Sequence, residues 1–284
     1  MIRLRKEGLS VELCEPWSYY KGVRFDHGGV FRRIVKDGFV FADEWFDHAD
    51  PFRHDRVCGL SEEFRGDVFD GVAPGDLFCK IGVGLLVRPD EEPYSFIRTY
   101  EIARKGEWSV ESSPERAAFT HILPGWYHYQ KCIALTGPDS LSIAHTLRWE
   151  GEKPLKGWCY NHHFLTFGGA PVGPSRSFHF PWQPVGTWRS AYSNVRFTDS
   201  GIAFSAAVER DNSVFCGDLH PAAGRMLYPF EVRDAGRSVE IGGDILPEFS
   251  VFWANPRVAC LEPYIPLAAA SGETLSWRQD YRFR

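Results

Sequence analysis

Methionine is nearly missing from this 284-residue chain, with two in all, and no apolar run approaches the roughly 20 residues that a membrane helix needs. Positive charge is not in excess: 32 Lys and Arg stand against 37 Asp and Glu, a formal net charge of −5, which argues against a nucleic-acid footprint. The start, Met1-Ile2-Arg3-Leu4-Arg5-Lys6-Glu7-Gly8, is basic but has no apolar stretch behind it, so it lacks the pattern of a secretory signal. None of the seven cysteines (Cys14, Cys58, Cys79, Cys132, Cys159, Cys216, Cys260) stands in C-x-x-C spacing. An odd number set mostly in apolar runs, as in Leu77-Phe78-Cys79, reads as buried free thiols in a reducing cytoplasm. A P-loop, a G-x-G-x-x-G after a strand, a G-x-S-x-G and an H-E-x-x-H are all missing, which sets aside nucleotide enzymes and the common nucleophilic hydrolases.

What the chain has is aromatic rings, 10 Trp, 11 Tyr and 22 Phe, punctuated by 27 Gly and 19 Pro. That composition leans towards β structure. The dominant period is two: Leu275, Trp277, Gln279, Tyr281 and Phe283 alternate with Thr274, Ser276, Arg278, Asp280 and Arg282. Such alternation is a strand with one buried and one wet face. Leu141 to Trp149 alternates in the same way, and with Trp126 to Leu135 and the turn Gly137-Pro138-Asp139-Ser140 it predicts a hairpin. Further strands are expected at 9–14, 30–35, 39–42, 77–87, 99–103, 108–112, 117–123, 158–167, 177–182, 201–208, 226–233, 238–241 and 249–253. Nowhere do apolar residues hold helical spacing over three turns, and no linker or repeat interrupts the pattern. The expectation is one all-β domain over 1–284, a large antiparallel sandwich or barrel. Residues 43–76 break the alternation and read as a loop excursion over one end of it.

Three segments can carry chemistry. In Trp158-Cys159-Tyr160-Asn161-His162-His163-Phe164 the adjacent histidines point to opposite faces of a strand, so they do not share a metal. Each is either hydrogen-bonded structure or, for one aimed into a cleft, a general acid. Glu262, between Leu261 and Pro263 at the end of an apolar run, is either a rim carboxylate or a general base, since an unpaired charge there is costly. Tyr19-Tyr20-Lys21-Gly22-Val23-Arg24-Phe25-Asp26-His27-Gly28-Gly29 combines aromatic faces with Arg24 and Asp26, either a surface ion pair or the make-up of a sugar site. His48 and His54 with Asp47, Asp50 and Asp55 are clustered, but not at the spacing of a standard metal site.

The order of these segments resembles the aldose 1-epimerase (galactose mutarotase-like) superfamily. The matching features are the mid-chain Asn161-His162-His163-Phe164 strand, Glu262-Pro263 about 100 residues on, the turn Ser271-Gly272-Glu273 and the closing strand Trp277 to Phe283. Gly28-Gly29-Val30-Phe31-Arg32 is similar to that family's opening strand pair, and Lys80-Ile81-Gly82-Val83-Gly84 resembles segments of a poorly characterised branch. The family's central Gly-Arg-x-x-Asn-Arg segment and its first histidine have no match. Its second-half sugar-binding Asp is to be sought at Asp211 or Asp218.

The resemblance implies a β-supersandwich of large antiparallel sheets with few short helices and a concave cleft for a small-molecule carbohydrate. It implies His162 as general acid and Glu262 as general base, meeting about one pyranose ring apart. Arg24, Asp26, Lys80, Tyr160 and Asn161 would bind the sugar, with Glu62 or Glu63 closing in from the loop. The reaction implied is anomer interconversion, which needs no cofactor and no metal. A nucleic-acid or membrane partner is not expected, and the chain is expected to be a cytoplasmic monomer or homodimer. A non-catalytic sugar sensor remains open, as does a polysaccharide lyase using Tyr160, Tyr94 or Lys80. A sugar-phosphate epimerase would need a second Arg beside Arg24.

Overall fold

The computed structural model describes residues 1–66, 69–189, 194–209 and 213–284. Two large antiparallel sheets face each other. The ten-stranded sheet runs in the order Val195–Thr198, Gly201–Phe204, Ser177–His179, Phe230–Asp234, Arg237–Gly243, Thr274–Phe283, Ser140–Trp149, Tyr127–Leu135, Arg116–Leu123, Glu107–Ser113. The six-stranded sheet runs Pro184–Val185, Val214–Pro221, Phe249–Ala254, Ala259–Ala269, Leu155–Phe164, Gly59–Gly66. Smaller sheets are built from Ile2–Lys6, Leu9–Cys14, Val30–Lys36 and Phe39–Ala42, and from Leu77–Lys80, Gly84–Val87 and Ile102–Arg104. Among the described residues the only helical element is a 3-10 turn at Phe167–Gly169, and no helix is long and apolar enough to cross a membrane.

The period-two reading explains the large sheet. In Thr274–Phe283, Trp277, Gln279, Tyr281 and Phe283 are buried while Ser276, Arg278 and Arg282 are exposed. Trp277, Trp149, Tyr129 and Leu147 meet Phe64, Cys159 and Ile265 of the six-stranded sheet in one apolar cluster. Burying faces of this size is the main stabilising term, about 25 cal/mol per Å² of apolar surface. All seven cysteines are free; six are buried and Cys132 is half-buried.

Two expectations are corrected. The 43–76 stretch holds the strand Gly59–Gly66, which pairs with the histidine strand from Gly157↔Gly66 to Phe164↔Gly59. The expected strand 77–87 is two strands joined at Ile81-Gly82-Val83, where Gly82 has φ 75° and an added Cβ would lie 2.3 Å from Asp26 Oδ1. Only glycine turns there without strain.

Candidate active site

The histidine strand, Leu155–Phe164, is flanked by Ala259–Ala269 on one side and Gly59–Gly66 on the other. Strand geometry sends alternate side chains to opposite faces. Trp158, Tyr160, His162 and Phe164 therefore look away from the ten-stranded sheet, and Cys159, Asn161 and His163 look towards it. On the outward face, Arg24, Tyr160, His162, Glu262, Tyr264 and Trp253 line an open cleft of about 690 Å³.

His162 and Glu262 meet at its floor, with Nε2 3.0 Å from Oε1. Their side chains are 6% and 4% exposed. The two touch directly, where a gap of one pyranose ring was expected. Phe164 stacks on the imidazole at 4.0 Å between centroids, while Phe25 and Trp253 meet it edge-on. Burial in this aromatic cage pushes the His162 pKa down, and Glu262 opposes the fall only in part. Glu262 by itself raises the histidine, but desolvation outweighs the pair attraction.

Beside this pair sits a second polar group. Glu63 takes Arg24 Nε at 2.7 Å, Lys80 Nζ at 2.9 Å and the Tyr94 hydroxyl at 3.2 Å, and Tyr160 also donates to it. Burial works to raise the Glu63 pKa, but Lys80 and Arg24 hold it down to about 2. Lys80 is lowered by burial against the pull of Glu63. Arg24 Nη2 lies 3.1 Å from the Tyr160 hydroxyl.

The inward face holds the rest of the expected sugar ligands. Glu62 pairs with Asn161 across the strands and points between the sheets. Its Oε1 lies 2.8 Å from His145 Nε2, and its Oε2 pairs with Lys131. Lys131 Nζ is also 3.4 Å from Asp26 Oδ2, which accepts from the Tyr129 hydroxyl at 3.1 Å. Asp26, Glu62 and Asn161 are 3%, 1% and 0% exposed. Burial raises the Asp26 pKa; Glu62, against the same penalty, is held down to about 2 by His145 and Lys131. Glu62 thus joins the two sheets through Lys131 and His145, Asp26 joins that cluster at Lys131, Asn161 lies on the same inward face, and none of the three lines the cleft. Of the two loop candidates, Glu63 is the one on the cleft face.

The backbone ladder between the histidine strand and the Glu262 strand ends at Tyr160↔Tyr264. Beyond it the Leu261 carbonyl is taken by His163 Nδ1, and His163 Nε2 meets the Tyr281 hydroxyl at 3.2 Å. Burial lowers the His163 pKa to about 4, so the ring is neutral and structural. Asp218 is half-buried, does not line the cleft and holds Thr187, and Asp211 lies outside the described residues. His54 and Asp55 line the cleft, and Asp55 also meets His48 at 3.0 Å. Sequence reasoning missed Arg65, Tyr264, Phe215 and Phe96, which also line the cleft. For Arg65 the missed signal was the alternation Ser61, Glu63, Arg65 in a segment taken as loop.

The paired sheets and outward cleft define the galactose mutarotase-like fold. Solved structures agree over almost the whole chain. A galactose mutarotase-like protein from Clostridium acetobutylicum is 13% identical with a TM-score of 0.59, covering 99% of this chain and 94% of that one. An aldose epimerase homologue from C. elegans is 13% identical with a TM-score of 0.56, covering 100% and 98%. A galactose mutarotase-like protein from Lactobacillus casei is 12% identical with a TM-score of 0.55, covering all of both chains. At this identity the likeness is one of fold. No protein-family profile and no curated protein sequence matches the chain.

Proposed function

We propose that the chain is an aldose 1-epimerase-type sugar isomerase, with 1–284 acting as one carbohydrate-binding unit. One observation carries the reading: an imidazole and a carboxylate 3.0 Å apart on the floor of an aromatic cleft. Anomer exchange needs a proton given to the ring oxygen and one taken from the anomeric hydroxyl. Both oxygens are bonded to the same carbon, so a neighbouring acid and base suit them. Protonated His162 donates to the ring oxygen while Glu262 accepts the hydroxyl proton. The ring opens, the C1–C2 bond turns, and the steps reverse. Each positioned proton transfer contributes roughly 10²–10⁴-fold. The caging rings give apolar faces for sugar C–H surfaces, and Arg24 and Tyr160 offer hydroxyl partners.

Glu262→Gln keeps the shape of the side chain and removes its basicity. Exchange of a freshly dissolved α-sugar, followed by polarimetry or NMR, should fall at least 100-fold, while sugar affinity stays within about tenfold. Equal rates for variant and parent would refute the role of Glu262. Binding without any exchange in the parent would favour a sugar sensor.

A further inference from the structure

Anomerisation of a neutral sugar leaves one feature of the cleft unused, its excess of cations. Glu63 is a single carboxylate shared by Arg24 and Lys80, so that trio keeps a surplus positive charge. Arg24 also lies over the Phe25 and Phe96 rings, at 4.5 and 4.3 Å, and lines the cleft. Arg65, two residues on from Glu63 along the same strand face, lines the cleft and the wider groove that continues from it. Among the described residues no carboxylate lies within ion-pair distance of Arg65, whose guanidinium reaches the Tyr264 side chain. Lys156 and Arg189 border the groove further out. The acids that face these cations are few: Glu63 attracts Arg65 as well as Arg24 and Lys80, Glu262 faces both His162 and Arg24, Asp55 is taken by His48 and Arg53, and Asp70 lies in the outer groove. The chain as a whole carries −5. The cation excess is therefore local.

We infer that the sugar taken by this cleft carries an anionic group, a carboxylate or a phosphate, at the end remote from its anomeric carbon, held by Arg65 together with Arg24. The substrate class rests on the mutarotase reading; the anion site does not. Register sets the distance. Arg65 pairs with Trp158, four residues along the strand from His162. At about 3.3 Å per residue this places their backbones about 13 Å apart. Arg24 sits at the level of Tyr160, about 7 Å from His162 by the same spacing. A hexopyranose with its ring over His162 and Glu262 places an exocyclic substituent between these two levels. The planar arginine fork matches both carboxylate and phosphate oxygens in bidentate fashion.

The test titrates glucose, glucuronate and glucose 6-phosphate, and the matching galactose series, by calorimetry, and measures their anomer exchange by NMR. Parent, Arg65→Ala and Arg65→Lys proteins are compared. In the parent, at least one anionic sugar should exceed its neutral counterpart tenfold or more in affinity and in kcat/KM. Arg65→Ala should cut that ratio at least tenfold, mainly through KM, and Arg65→Lys should restore part of it. The uronate and phosphate arms tell which anion is meant. A ratio near one in the parent, or one that Arg65→Ala leaves alone, overturns the anion site while leaving sugar exchange standing. Arg65-dependent binding with no exchange upholds the site and overturns the mutarotase reading. No binding of any of these sugars overturns the anion site.

Discussion

Lys131→Met tests the charged contact between the two sheets. The substitution keeps most of the side-chain length and removes the only cation among the described residues that touches both Glu62 and Asp26. All three side chains are at most 2% exposed. At an effective dielectric near 20, a unit pair at 3.4 Å attracts by about 5 kcal/mol, before the desolvation of the lysine is charged against it. Breaking a buried pair by removing one partner costs about 3–5 kcal/mol, because the remaining charge stays uncompensated. The variant should lose that much at pH 8 in urea denaturation followed by circular dichroism. The loss should shrink on acidification. Glu62, held down to about 2 in the parent, takes up a proton at higher pH once Lys131 is gone. Glu62→Gln added to Lys131→Met should recover at least about 1 kcal/mol, since it removes the stranded charge. A cost under about 1 kcal/mol at pH 8, or a cost equal at pH 8 and pH 5, would refute the view that this network is a compensated charge cluster.

Two further outcomes follow from buried histidines. Burial lowers the pKa of His27 to about 3 and of His121 and His163 to about 4, against 6.5 when free. The unfolded chain then binds more protons than the fold below about pH 6.5, so their share of stability is complete above that pH and is lost as pH falls towards 4 and 3. By pH 5 each accounts for about 2 kcal/mol of loss, at 1.36 kcal/mol per unit; Asp26, raised by burial, offsets part of it. Denaturation midpoints should therefore drop steeply between pH 7 and pH 5, and a flat profile would contradict neutral burial of these rings. The lowered His162 pKa puts the acid form in the minority at neutral pH. Anomer exchange should run faster near pH 6 than near pH 8, and a rate that rises with pH would remove His162 as the acid.

How far the fold could be read ahead depended on solvent. Strands with one wet face, Thr274–Phe283 and Ser140–Trp149, announce themselves because water enforces alternation. Gly59–Gly66 does not, because Glu62 and Glu63 are both buried, one between the sheets and one under the cleft. Consecutive charges look like loop when each has a hidden partner on its own face. The same concealment misassigned Asp26, Glu62 and Asn161 to the sugar. His162 and Glu262 emerged from the order of segments, and their direct contact only from the folded geometry. Arg65 followed only once its strand was known.

Past Tyr160 and Tyr264 the two central strands run like rails without sleepers, tied by side chains alone, where the His163 ring grips Leu261 and His162 meets Glu262. The gap between His162 and Glu262 is thus gauged by a side chain and not by the peptide lattice. Mutation at that hidden tie would let the gauge drift while the paired rungs of the neighbouring strands hold. A scaffold built this way can be retuned for a new guest one codon at a time.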